Sequence, residues 1–129
     1  EMEAVLDAIA SRGVPWGIVT NKHERFTAPI ARGLGLDRRA VVIVCGDTTP
    51  HAKPHPAPLL EAARRIGVEA SSCVYVGDDR RDMEAARAAG MRAAVARWGY
   101  IDPADDVAAW NGDAVLDRRD DLLNWLALA

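Results

Sequence analysis

Three short stretches of this chain hold residues able to do chemistry. Gly77-Asp78-Asp79-Arg80-Arg81-Asp82 gathers three carboxylates where a β-like run gives way to an Ala-rich helical one. Asp78 and Asp82 are four apart, so on a helix beginning at the turn they project from neighbouring positions of one face. Two carboxylates so placed suit a hard divalent cation, Mg²⁺ above all, which takes oxygen ligands and keeps several waters. The same residues also suit an ordinary helix start, because Asp is a favoured N-cap and acids complement the positive end of the helix dipole. Thr20-Asn21 supplies a hydroxyl with its backbone N–H groups, and Lys53 supplies a cation just before a helix. Each of these has a plainer reading too, Thr20-Asn21 as a turn and Lys53 as a solvated charge. Taken together, a hydroxyl with amides, a lysine and a carboxylate-held cation are the groups needed around a transferring phosphoryl group.

The elements that would position these residues follow from periodicity. Val74-Tyr75-Val76 reads as a strand, and the helix after it continues through Met83 to Ala89 and stops at Gly90. Met2 to Ser11 carries a helical apolar stripe with Gly13 as its stop. Val14 to Val19 reads as a strand with Pro15 near its start. A helical stretch then runs to about Leu34, stopped by Gly33 and Gly35; Pro29 implies either a helix starting two or three residues before it or a kink. Val41 to Cys45 is a continuous apolar run, as expected of a strand covered on both faces. A polar loop spans Gly46 to Pro54, and a helix begins near Pro56 or Pro58 and ends at Gly67. Arg92 to Ala96 is a strand, Trp98 to Asp113 a long loop, Ala114 to Leu116 an edge strand, and Asp121 to Leu128 a closing amphipathic helix. Strands alternating with helices of ten to fifteen residues predict βαβ units and a parallel sheet. In such a sheet the three chemical stretches all follow strands and emerge on one rim, where open α/β sheets bind ligands.

Composition bounds the function class. The 129 residues suffice for one domain with a real core, and 50% hydrophobic with 27% charged residues is the balance of a globular protein. A net charge of −3 with scattered arginines and no basic stripe argues against nucleic acid. No apolar run approaches membrane-spanning length, and the amino terminus lacks the layout of a signal peptide. The two cysteines, Cys45 and Cys73, fall in predicted buried strands and read as reduced core thiols, which points to the cytoplasm.

Thr20-Asn21-Lys22 after an apolar strand, Lys53-Pro54-His55-Pro56, and Val76-Gly77-Asp78-Asp79 with Asp82 and Ala85 to Met91 carry a family resemblance. The chain resembles the haloacid dehalogenase-like hydrolases in their second, third and fourth motifs, over nearly its whole length. Gly99-Tyr100 and the acidic loop after it resemble the phosphoglycolate phosphatase branch. Trp16 to Lys22 and Arg97 to Ile101 are also similar to a proteobacterial relative acting on N-acetylmuramic acid 6-phosphate. The resemblance implies a three-layer αβα, Rossmann-like core and a Mg²⁺-dependent phosphomonoester hydrolase of small phosphorylated metabolites, with a homodimer left open. It implies that Thr20 and Asn21 bind phosphoryl oxygens and that Lys53 steadies the phosphoryl group and the nucleophile. It further implies that Asp78 ligates Mg²⁺, with Asp79, at a position often Ser or Thr, as a second metal residue beside it, and that Asp82 acts as an outer acid or as a ligand through water.

The sequence departs from that family at one point. The nucleophile motif, Asp-x-Asp-x-Thr after the first core strand, follows no hydrophobic strand here. That strand would lie between those at Trp16 to Val19 and Val74 to Val76, and without it two interior edges lack partners. The expectation is therefore the carboxyl-terminal part of a hydrolase core, residues 1–129, whose nucleophile, first strand and substrate-selecting cap lie outside this sequence. A truncated, non-catalytic module that keeps the phosphate and metal site is the alternative.

Overall fold

The computed structural model describes residues 2–127. Six α-helices and five short strands alternate along them: α1 (Met2–Ser11), β1 (Ile18–Val19), α2 (Glu24–Leu34), α3 (Leu36–Arg39), β2 (Ile43–Val44), α4 (Ala57–Ile66), β3 (Val74–Gly77), α5 (Arg80–Ala89), β4 (Arg92–Ala96), β5 (Ala114–Leu116) and α6 (Asp121–Trp125). Single 3₁₀ turns occupy Ala70–Ser72 and Val107–Trp110. The expected end of the last helix, Leu128, lies outside the described residues.

All pairing is parallel, but the strands form two sheets. One is β1-β2, with Ile18 opposite Ile43, and the other is β3-β4-β5, with Tyr75 opposite Ala93 and Val95 opposite Val115. No backbone hydrogen bond joins β1 to β3 among the described residues.

The alternation of side chains along β4 divides the core into two layers. Ala93 and Val95 face α4 and α5, where Leu59, Ala63, Met83 and Ala86 join Val107 and Trp110 in one cluster. Ala94 faces the other way, against Val5 and Ile9 of α1, Leu116 of β5 and Leu122 of α6. Helices thus cover both faces of a parallel sheet, a three-layer αβα arrangement. Leu59 and Met83 are fully buried, and a side chain of that size contributes about 1.5–3 kcal/mol when removed from water.

Several boundaries differ from the sequence reading. The strand expected over Val14 to Val19 narrows to two residues, and that over Val41 to Cys45 does likewise. Pro15 has no N–H to give a ladder, and β1 has a partner only on the β2 side, so pairing ends at Val41 N–H to Trp16 O (2.9 Å). Val41 is exposed, so this run is not covered on both faces. Helix α2 begins at Glu24, five residues before Pro29, and runs through Gly33; only Gly35, at φ 72°, stops it. The short helix α3 was not anticipated. Cys45 is buried as expected, while Cys73 precedes β3 and is only partly covered; both thiols are free. Among the described residues no helix is long and apolar enough to cross a membrane.

Candidate active site

The site is built at the carboxyl end of β3. Gly77 closes the strand without a side chain, and a Cβ there would run into the carboxylate of Asp82. This close approach lets Asp82 fold back beneath the turn, where its Oδ2 accepts the N–H groups of Asp78 (3.0 Å) and Asp79 (3.1 Å). Asp79 is the N-cap of α5, its Oδ1 accepting the Arg81 N–H at 2.9 Å, and with Asp82 it forms a reciprocal capping box. The Arg81 guanidinium adds two bonds to the Asp79 carboxylate, both 3.1 Å, which hold its pKa below the usual carboxylate range.

Lys53 enters from the loop after β2, and the loop after β1 holds its backbone. The Asn21 carboxamide accepts the Lys53 N–H at 2.9 Å and donates to the Lys53 carbonyl at 3.0 Å. The Lys53 ammonium then reaches Asp82 Oδ1 at 2.6 Å, a pair with both side chains less than a tenth exposed. It also donates to the Tyr75 hydroxyl at 2.8 Å and to the Val19 carbonyl at 3.3 Å. A charge pair this dry and this fully hydrogen-bonded holds both groups in one place.

Asp78 projects above this floor. Its Oδ2 accepts the Tyr100 N–H at 3.1 Å, and Gly99 beside it lies so close that a Cβ would overlap the Asp78 carboxyl. The remaining oxygen, Oδ1, has no partner among the described residues, whereas every oxygen of Asp79 and Asp82 is engaged. Asn21, Lys53, Asp78, Asp79, Arg81 and Asp82 together line an open cavity of about 180 Å³.

Five of the six residues singled out from sequence therefore meet in one place. The sixth, Thr20, sits at the end of β1 outside that lining, its Oγ1 accepting the Lys22 N–H at 3.1 Å. One geometric expectation needs correction: Asp78 and Asp82 do not share a helix face, because α5 starts only at Arg80 and Asp82 turns back to cap it. Three contributors escaped the sequence reading. Arg81 shows no signal beyond its charge, the Gly99-Tyr100 backbone supports Asp78, and Tyr75 reads as core because strand aromatics usually are. Trp110 is buried and Trp98 packs in the α1–α6 cluster, while the Tyr100 side chain is fully exposed at the rim.

As a metal site the donor set is sparse. No three His, Cys, Asp or Glu side chains gather to hold an ion among the described residues. Asp78 Oδ1 offers one carboxylate position, which suits a hard divalent cation that completes its shell with waters and phosphate oxygens.

Comparison with known proteins agrees with this geometry. The model of the haloacid dehalogenase-like hydrolases matches residues 1–90. A phosphoglycolate phosphatase of Xanthomonas campestris pv. campestris is 49% identical over 117 residues, covering 91% of this chain and 53% of that protein. An N-acetylmuramic acid 6-phosphate phosphatase of Pseudomonas aeruginosa is 43% identical over 122 residues, covering 95% and 54%. The crystal structure of a predicted phosphoglycolate phosphatase from Haemophilus somnus superposes with a TM-score of 0.88 at 28% identity, over 96% of this chain and 55% of that one. The chain spans about half the length of the curated relatives it matches.

Proposed function

The chain belongs to the haloacid dehalogenase-like hydrolases, and on that footing we propose that the complete protein is a Mg²⁺-dependent phosphomonoesterase of small phosphorylated metabolites. The observation that carries this reading is the buried Lys53–Asp82 pair at the floor of a cavity whose rim bears the half-free carboxylate of Asp78. Three carboxylates there face two cations, so the cavity alone would repel a phosphate dianion. Mg²⁺ held at Asp78 would reverse that sign and neutralise charge on the phosphoryl oxygens. Lys53, fixed by Asp82, binds a phosphoryl oxygen and the charge of the attacking group. Thr20 offers its hydroxyl hydrogen from the end of β1, and Asn21 keeps Lys53 aimed by gripping its backbone. Asp79 serves first as the cap of α5, since its carboxylate is committed to Arg81.

The nucleophile in this proposal is an aspartate outside this sequence, forming an aspartyl-phosphate that water then hydrolyses. Residues 1–129 are accordingly the carboxyl-terminal part of a core domain, with the first strand and cap elsewhere in the protein; in keeping with this, no backbone hydrogen bond joins β1 to β3 among the described residues. Two free thiols agree with a cytoplasmic location. Phosphoglycolate is the first substrate to try, on the strength of the Xanthomonas relative, and N-acetylmuramic acid 6-phosphate the second, on that of the Pseudomonas one.

The test is phosphate release by the complete protein and its Asp78→Ala variant on both esters. The substitution should lower Mg²⁺-dependent kcat by about a thousandfold, the scale of losing a group that stabilises transition-state charge. Activity retained in Asp78→Ala would overturn the assignment. Metal binding without turnover in the wild type would favour the non-catalytic module instead.

A further inference from the structure

Beyond β4 the chain turns back over the end of the sheet. The Gly99 N–H donates to the Ala96 carbonyl at 3.1 Å and closes a turn, and the Ile101 N–H donates to the Gly99 carbonyl at 3.1 Å across Tyr100. Trp98 packs into the α1–α6 cluster and Ile101 against the α4–α5 cluster, so the loop 98–101 is held in both layers of the core. Between these anchors the Tyr100 side chain is left fully exposed, while its backbone N–H donates to Asp78 Oδ2 at 3.1 Å. Gly99 does not lie in the left-handed region; what excludes a side chain there is the Asp78 carboxyl, which a Cβ would overlap. Backbone, not side chain, thus meets Asp78. These contacts all lie on the β4 side of β3, away from β1, so a further strand between β1 and β3 does not compete for them.

We infer that Gly99 and Tyr100 are positioning residues that set the cation preference of Asp78: the Tyr100 N–H occupies Oδ2, leaves Oδ1 as the single oxygen for the metal, and so favours Mg²⁺ over Ca²⁺. The inference rests on the Mg²⁺ reading of the cavity. Mg²⁺ is small, keeps most of its waters and needs few protein oxygens, whereas the larger Ca²⁺ takes more ligands and readily uses both oxygens of one carboxylate. A carboxylate with one oxygen already bonded serves the first cation better than the second. The bond can be removed without removing the turn. Tyr100 is not in the left-handed region, so the turn across it is the inverse γ-turn, whose central φ is close to the one a proline ring fixes. Tyr100→Pro would therefore keep the path of the loop and delete the N–H that Asp78 accepts, and Gly99 before it tolerates the restriction that proline imposes.

The experiment is calorimetric titration of Mg²⁺, and separately of Ca²⁺, into the complete protein and its Tyr100→Pro, Tyr100→Ala and Gly99→Ala variants, with a melting curve for each. Tyr100→Ala keeps the N–H and should bind both cations as the wild type does. In Tyr100→Pro the preference for Mg²⁺ over Ca²⁺ should fall about tenfold, the scale of one hydrogen bond to a charged group. Gly99→Ala, which displaces the carboxyl, should bind Mg²⁺ about tenfold more weakly while melting within a few degrees of the wild type. A preference unchanged in Tyr100→Pro would overturn the inference while leaving the phosphatase reading in place, as would an equal loss in Tyr100→Ala. If Tyr100→Pro does not fold, Gly99→Ala stands alone, and Mg²⁺ bound by it as tightly as by the wild type overturns the inference. A wild type that binds neither cation would overturn both readings. A wild type that shows this order of affinities yet hydrolyses no phosphomonoester would sustain the inference and overturn the phosphatase reading alone.

Discussion

Asp82 accepts two backbone N–H groups as well as the Lys53 ammonium, so only one of its three bonds depends on Lys53. That unequal sharing predicts unequal costs. Asp82→Ala removes the capping box and strands a buried ammonium, and should destabilise the protein by about 3–5 kcal/mol, as breaking a buried pair does. Lys53→Met leaves Asp82 with both N–H groups and should cost less, about 1–3 kcal/mol, the range for one lost charged hydrogen bond. Urea unfolding of the two variants checks the order, and equal losses would contradict the geometry. At this scale the sequence was legible in identity more than in arrangement. The spacing of Asp78 and Asp82 suggested one helix face, but capping geometry turned Asp82 back under the turn. Tyr75 was illegible because nothing in a strand residue says which carbonyl of another strand its hydroxyl will meet.

The strand, turn and helix running from Val74 to Gly90 were readable because every local signal agreed: β-branched residues, a glycine, acids at the helix start, and a glycine at its end in the left-handed region. Arg92–Ala96 and Ala57–Ile66 were equally plain. Strands β1 and β2 came out shorter than their apolar runs, since hydrophobicity marks burial while a ladder needs paired backbone groups. Helix α3 was lost behind Gly35, read as a stop when it also begins the next turn. Several elements are tied down by carboxylates that titrate low. Glu61 on α4, bonded to Arg64 and Arg65, is held at about 2, and Asp113, which accepts the Ala93 N–H and pairs with Arg87, is lowered as well. A depressed folded pKa means the unfolded chain binds more protons as pH falls. Stability is thus fully present above about pH 4.5, the ordinary glutamate value, and drains away toward pH 2. Melting curves at descending pH should show Tm falling through this window, and less steeply in high salt because the Glu61 pairs face solvent. A Tm that held constant from pH 5 to pH 3 would contradict this.

Over the whole molecule, alternating strands and helices were enough to expect a parallel sheet with helices on both faces. The division into β1-β2 and β3-β4-β5 was legible only through the family resemblance, because nothing in the apolar pattern of this sequence separates β1 from β3. The two halves of the site hang on the two sheets. Lys53 and Asn21 follow β2 and β1, while Asp78 and Asp82 follow β3, and the Lys53–Asp82 pair with the Tyr75–Val19 bond spans the space between. In the proposed function these residues bind phosphate with a divalent cation, and the complete protein breaks its ester bond. The most direct measurement is orthophosphate release from 2-phosphoglycolate by the complete protein, before EDTA, after EDTA, and after Mg²⁺ is restored. Release that stops on chelation and returns with Mg²⁺ is the predicted result; release indifferent to EDTA, or none at all on any small phosphomonoester, would contradict it.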